Sequence, residues 1–290
     1  MLFAALRAMR PYQWTKNLLV FAALVFAQRA MEPKLAAVSA VAFAAFCLLS
    51  SAMYVFNDLM DVERDRAHPG KRNRPIASGA LSVPAAWLLV LLLTGASALL
   101  GWWVRPPFLA VLSLYGVLTV AYSVGLKHVA IVDVMVVALG FVLRAMGGAI
   151  ALDVVFSNWL VVCTLFLALF LAIGKRRAEL TSLEEGAAGH RLVLEHYSVA
   201  YLDQLILIVA GGTMITYTIY TCSPEVVERL GTDKLYVTLP FVVYGLFRYL
   251  HLVHHDGGGG DPSGTLLRDW PMAATVILWG VACVSLIYLV

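Results

Sequence analysis

The chain has 290 residues, 61% of them hydrophobic and only 13% charged, and its mean hydropathy of +0.83 excludes an ordinary soluble protein in favour of a polytopic membrane protein. The net charge of +3 calls for no nucleic acid; its uneven placement implies attraction to an anionic membrane face and to phosphorylated substrates there. The four cysteines show neither CxxC nor Cys/His ligand spacing, which excludes a disulfide or zinc framework.

Apolar stretches near the roughly 20 residues that cross a bilayer fall at 15–31, 35–57, 82–104, 107–125, 130–151, 157–174, 199–221, 235–253 and 270–290. They predict an all-α, polytopic membrane bundle of nine transmembrane helices in a single domain over residues 1–290. Pro106 and Pro107 mark the break between the third and fourth spans. The segment before Arg7 is too short for a signal-peptide core, so the first span is expected to stay as an anchor. Arg7, Arg10 and Lys16 fall on one side with Arg64, Arg66, Lys71, Arg72, Arg74, Lys127, Lys175, Arg176, Arg177, Arg191, Arg248 and Arg268. Arg29, Lys34, Arg105, Arg229 and Lys234 fall on the other. The positive-inside rule then places the amino terminus and the basic loops in the cytoplasm and the carboxyl terminus outside. Gly257 to Gly260 reads as a flexible tether.

The second span runs out into N-D-L-M-D-V-E-R-D, Asn57 to Asp65. At 100° per residue, Asp58, Asp61 and Asp65 fall within about 60° on a helix face, so three carboxylates would converge. Like charges crowd together only where a cation neutralises them, and oxygen-only ligands favour Mg²⁺ shared with substrate phosphates. The alternative is an acidic helix end paired with neighbouring arginines. The chain continues H-P-G-K-R-N-R-P-I-A-S-G from His68 to Gly79, where Pro69 and Gly70 turn it and let Lys71, Arg72 and Arg74 fold back towards the acids. The fourth span ends Y-S-V-G-L-K, placing Tyr122, Ser123 and Lys127 at the same membrane face. Cations beside Mg²⁺ carboxylates suit a diphosphate, whose developing charge on departure needs them.

In the fifth span Asp133 and Arg144 are costly intramembrane charges and mark function by default. Eleven residues apart, they share a face but lie about 16 Å from each other, too far to pair. Asp133, near the mouth, would orient a basic phosphate ligand, whereas Arg144 lies deeper and either pairs with backbone carbonyls or contacts substrate. His251, His254 and His255 have metal-like helical spacing, which an interfacial helix end explains equally well.

The combination of N-D-x-x-D-x-x-x-D at Asn57 to Asp65, R-N-R-P-I-A-S-G at Arg72 to Gly79 and Y-S-x-x-L-K at Tyr122 to Lys127 resembles the UbiA superfamily of intramembrane prenyltransferases. The resemblance implies an all-helical protein that holds a polyprenyl substrate in a cavity open to lipid and binds diphosphate through Mg²⁺ at two aspartate-rich motifs. The first motif matches residue for residue. At the second, G-K-R-R-A-E-L from Gly174 to Leu180 stands where the family carries D-x-x-x-D. Such a site should hold a metal-bound diphosphate together with a second phosphate gripped directly by Arg and Lys. R-P-Y-Q-W-T-K-N (Arg10 to Asn17), K-R-R-A-E-L and Y-S-V-A-Y-L-D-Q (Tyr197 to Gln204) resemble the phosphoribosyltransferase branch of the family that serves arabinan cell-wall synthesis.

That branch implies a bacterial inner-membrane enzyme with a cytoplasmic active site. A polyprenyl (decaprenyl) phosphate oxygen attacks the anomeric carbon of 5-phosphoribosyl diphosphate (PRPP), and pyrophosphate leaves. No Ser, Cys or His nucleophile is needed, because the phosphate is already charged at neutral pH. The implied roles are catalysis by Asp58, Asp61, Lys16 and Lys127, Mg²⁺ binding by Asp58, Asp61 and Asp65, and substrate contacts from Asn57, Arg72, Arg74, Tyr122, Arg144, Lys175, Arg176, Arg177 and Glu179. Expected partners are the polyprenyl phosphate, PRPP and the bilayer, with no nucleic acid; homo-oligomerisation is compatible with the sequence but not specified by it. Two other readings remain: a prenyltransferase that moves a prenyl group from its diphosphate to an aromatic acceptor, and a transporter or lipid-binding protein. Against the last, the charges cluster at one membrane face and do not mark a midplane site between broken helices.

Overall fold

The computed structural model describes residues 2–184, 192–255, 264–265 and 268–289. Arg191 and the tether expected at Gly257 to Gly260 lie outside the described residues. Short helices α1 (Leu2–Met9) and α2 (Ala22–Phe26) flank a 3₁₀ segment, Pro11–Phe21. There follow α3 (Pro33–Met60), α4 (Val62–Ala67), α5 (Val83–Val104), α6 (Pro106–Val124), α7 (Val132–Leu152), α8 (Asn158–Glu184), α9 (Val199–Cys222), α10 (Pro224–Leu230), α11 (Leu239–His255) and α12 (Trp270–Tyr288). Among the described residues eight helices are long and apolar enough to span a membrane, and the protein is a multi-span membrane protein.

Proline sets several starts: Pro33, Pro84, Pro106 and Pro271 each sit in a first helical turn, where no intrahelical N–H is needed. Pro106 also forces the residue before it out of the helical region, and Arg105 is extended at φ 178° and ψ 152°. That single residue breaks α5 from α6 as the sequence implies.

The ninth expected span, 15–31, is not an α-helix. Eleven residues of 3₁₀ helix precede the five of α2, and at about 2.0 and 1.5 Å per residue they reach about 30 Å, still the thickness of the hydrocarbon core. Contacts far along the chain hold this unusual winding. A Cβ on Gly148 of α7 would lie 2.0 Å from the Val20 carbonyl oxygen, so only glycine lets the two backbones meet. Trp14 Nε1 donates to Ser51 Oγ at 3.0 Å, and Asn17 Nδ2 donates to Ser50 Oγ at 3.2 Å.

The apolar window of α7 is 67% buried and that of α5 only 17%, so α7 is an interior helix and α5 faces the bilayer. Around α7 pack Phe46, Phe108 and Tyr115, with ring centroids 5.8 and 5.6 Å from Phe46 in edge-on geometry. A second core joins α8, α9 and α11 through Phe170, Leu202, Ile206 and Tyr249.

Candidate active site

α3 stops at Met60, and Asp61, at φ −101° and ψ 9°, interrupts the winding before α4 begins. The three aspartates therefore do not share one helix face. Among the described residues no three His, Cys, Asp or Glu side chains are grouped to hold a metal ion. Instead each carboxylate takes a cation. Asp58 Oδ1, buried, accepts from Arg10 Nη2 at 2.5 Å and from Arg74 Nη1 at 3.1 Å. The same Arg74 nitrogen donates to Asp65 Oδ2 at 2.7 Å. Lys127 Nζ donates to both oxygens of Asp61 at 2.7 and 3.0 Å, and Asn57 Nδ2 lies 3.3 Å from Oδ2. The expected three-way convergence is corrected to a pair, Asp58 and Asp65, bridged by Arg74, with Asp61 held separately.

The loop after α4 delivers Arg74. Backbone turns close it, with Lys71 N donating to His68 O at 3.1 Å and Leu81 N to Pro75 O at 2.8 Å. Ile76 is buried among Ala8, Val55, Leu59 and Leu81 and pins the loop against α1 and α3. Arg72 stays exposed and enters no ion pair among the described residues. Arg10 was not anticipated as a site residue. It takes a left-handed conformation, φ 53° and ψ 61°, between α1 and the 3₁₀ segment, and that turn aims its guanidinium at Asp58 and over the Tyr54 ring at 5.2 Å. The opening R-P-Y-Q-W-T-K-N sequence was the available signal, but backbone handedness is not visible in it.

The basic second motif does not point its arginines at the acids. Arg176, on α8 and buried, donates through Nε to Asp133 Oδ2 at 2.6 Å, through Nη1 to Glu179 Oε2 at 2.8 Å and through Nη2 to the Tyr122 hydroxyl at 3.2 Å. The Tyr197 hydroxyl closes this network, donating to Asp133 Oδ1 at 2.7 Å and accepting from Ile131 N at 2.6 Å. Burial raises the Tyr197 pKa above the ordinary phenol value, so the proton needed for that bond stays in place. Ile131 itself sits at φ 69°, a conformation that β-branched residues avoid. Arg177 bonds Asp203 at 2.5 Å and the Val253 carbonyl at 3.2 Å. Lys175, on the same helix, and Lys16, on the 3₁₀ segment, are both half-buried.

Asp133 thus orients a basic residue, as its position in the sequence suggests. Arg144 is buried and uses Nε on Asn17 Oδ1 at 2.7 Å, Nη1 on Gly140 O at 2.7 Å and Nη2 on the Tyr115 hydroxyl at 2.8 Å. The backbone-carbonyl pairing is observed, and no carboxylate joins Arg144 among the described residues. His251 and His255 stack at 4.5 Å, while His254 lies 3.3 Å from Asp203.

The model of the UbiA prenyltransferase family matches residues 17–263. The decaprenyl-phosphate phosphoribosyltransferase of Mycolicibacterium smegmatis is 36% identical, with 94% of this chain and 89% of that protein covered. The enzyme of the same name from Mycobacterium tuberculosis is 34% identical, with 94% and 90% covered. The structure of a UbiA homolog from Archaeoglobus fulgidus bound to GPP and Mg²⁺ superposes with a TM-score of 0.73 at 19% identity, covering 97% of this chain and 99% of that one. The all-helical fold, the family match over most of the chain and the full-length relatives lead to one conclusion: the chain belongs to the UbiA prenyltransferase family.

Proposed function

We propose that the protein transfers 5-phosphoribosyl from PRPP to a polyprenyl phosphate, decaprenyl phosphate by analogy with the names of its relatives, on the cytoplasmic face of a bacterial inner membrane. The observation that carries the reading is the pairing of one acidic element with one cationic element. Asp58, Asp61 and Asp65 stand at the end of α3 and start of α4, whereas the corresponding end of α8 carries Lys175, Arg176 and Arg177. An enzyme with a single diphosphate to hold has no use for that asymmetry; one that must bring two phosphorylated substrates together does.

A divalent cation fits the donor set. Asp58 and Asp65 both reach one guanidinium nitrogen, so both reach a common point, and one or two carboxylates with phosphate oxygens are the usual surroundings of Mg²⁺. The neighbour from Archaeoglobus fulgidus is bound to Mg²⁺. Asp58, Asp65 and, once Lys127 moves, Asp61 would hold the ion. The chemistry it supplies when bound is neutralisation of charge on the departing diphosphate.

The side chains now on the carboxylates have a second use. Arg10, Arg74 and Lys127 are cations within hydrogen-bond reach of the acids, and when a metal takes their place they are positioned to turn to phosphate oxygens. Lys16, Arg72 and Lys175 are the remaining cations for the second phosphate. Arg176 acts through Tyr122, whose hydroxyl it orients. The acceptor oxygen forms the new bond to the anomeric carbon as the bond to pyrophosphate breaks, and no proton has to move. Positioning and fixed positive charge then account for catalysis.

The test is purified protein with Mg²⁺, labelled PRPP and a polyprenyl phosphate. Polyprenylphosphoryl 5-phosphoribose and pyrophosphate are expected. In a parallel incubation with prenyl diphosphate and 4-hydroxybenzoate, product there alone would overturn the assignment.

A further inference from the structure

Between α3, α5 and α6 runs an apolar cleft of about 590 Å³, lined by Leu49, Met53, Ser97, Leu112, Gly116 and Val124 among others. Its walls belong to the helices most open to the bilayer, α5 and α6, whose apolar windows are 17% and 28% buried. The lining follows single stripes. On α3, Leu49 and Met53 are one turn apart, and the next positions at the same spacing are Asn57 and Asp61. On α6 the lining ends at Val124, and three residues later Lys127 bonds Asp61. Both walls therefore run into the Asn57, Asp61 and Lys127 contact at the membrane face.

We propose that this cleft seats the polyprenyl chain of the acceptor lipid, with its phosphate at Lys127; the identity of the lipid rests on the function proposed above. Size selects the occupant. The α6 lining from Leu109 to Val124 spans about 22 Å. The volume of about 590 Å³ spread over that length leaves a section of roughly 27 Å², against roughly 80 Å² for a helix 10 Å across. One hydrocarbon chain fits and a helix of a second copy does not. A two-tailed phospholipid would leave one tail outside, whereas a polyprenyl phosphate has one tail and one anionic head. The head would replace Asp61 as the partner of Lys127, so acceptor binding frees the Asp61 carboxylate.

Gly116 supplies the test. A Cβ there would meet only Leu49 side-chain carbons at 3.8 Å, ordinary contact, and removing glycine from a helix interior favours folding. Gly116→Leu fills the cleft without straining the backbone. The KM for polyprenyl phosphate should rise about tenfold or more, equivalent to about 1.4 kcal/mol, while the KM for PRPP stays constant. Leu92→Phe, a bilayer-facing change outside the lining, should alter neither. A polyprenyl phosphate carrying a diazirine near its tail should label α5 and α6 peptides in the wild type and lose that labelling in Gly116→Leu. An unchanged KM with label on other helices overturns the proposal. So does label competed equally by a phospholipid, or a disulfide between copies through Val117→Cys. If the wild type transfers no phosphoribosyl yet α6 is labelled, the proposed reaction falls and the cleft stands.

Discussion

The two charged regions of the protein are built on opposite plans. At the end of α3, the three carboxylates are bonded mainly by side-chain cations from other segments: Arg10 from the turn before the 3₁₀ segment, Arg74 from a loop and Lys127 from the end of α6. At α7 and α8, Asp133 and Arg176 sit inside a closed network that also engages Tyr122, Glu179 and Tyr197. The first region holds exchangeable partners, because Arg10 and Arg74 are 21% and 28% exposed and a ligand can replace them. In the second, Arg176 is 4% and Asp133 0% exposed, and neither has solvent to fall back on. Ion pairs of similar length therefore serve substrate exchange in one place and rigidity in the other.

Breaking the closed network should have the largest effect. Asp133→Ala leaves the Arg176 charge buried with one partner fewer, a change worth about 3–5 kcal/mol of stability, and the thermal midpoint in detergent should fall sharply. Replacing both partners with apolar residues, Asp133→Leu with Arg176→Met, should recover most of that loss. A double variant as unstable as the single one would show that the network is more than a buried pair. In the exchangeable region the signs reverse. Asp61→Asn should keep the thermal midpoint near that of the wild type but lower turnover more than a hundredfold, the cost of about 3 kcal/mol of transition-state stabilisation. Near-normal turnover at saturating Mg²⁺ would remove Asp61 from the site.

The basic motif on α8 sharpens the contrast, since Lys175 and Arg176 are neighbours in sequence with different surroundings. Lys175→Ala should raise the KM for PRPP or for polyprenyl phosphate, one and not both, by the roughly 1.5–3 kcal/mol that a hydrogen bond to a charged group contributes. Arg176→Ala should act chiefly on stability. Equal effects on both KM values and on the thermal midpoint would place Lys175 in the scaffold with Arg176.

Much of this division was legible in the sequence. Carboxylates and cations at one membrane face, the break at Pro106, and Asp133 as the holder of a basic side chain all follow from residue chemistry and spacing. What was not legible depends on contacts across the chain. The helix-face argument for Asp58, Asp61 and Asp65 assumed continuous winding, which the break at Asp61 interrupts. The first span is wound as 3₁₀ helix against Gly148, 128 positions beyond Val20 in the chain, and hydropathy does not report winding. Arg10 reaches Asp58 only through its left-handed turn. The cleft lining is invisible for a different reason: a leucine facing substrate and a leucine facing lipid look alike in a membrane helix.

The smallest predicted effect lies at the start of α12, where an ion pair is neither exchangeable nor enclosed. Asp269 caps the helix, accepting from Met272 N at 2.9 Å through Oδ1, and it also takes Arg248 through both oxygens at 3.1 and 2.6 Å. The hydrogen bond from Arg248 holds its carboxyl below the usual carboxylate range. Asp269→Ala should cost about 1 kcal/mol, the typical worth of an N-cap, with turnover unchanged because α12 carries none of the phosphate ligands proposed here. The sign of the pH effect follows from the direction of the shift. A lowered folded-state pKa gives a contribution present above the unfolded value of about 3.9 and lost as pH falls through the folded one. Wild type and variant should therefore differ in thermal midpoint at neutral pH and converge in strong acid. A difference that persists at the lowest pH would show that Asp269 acts through shape alone and not through its charge.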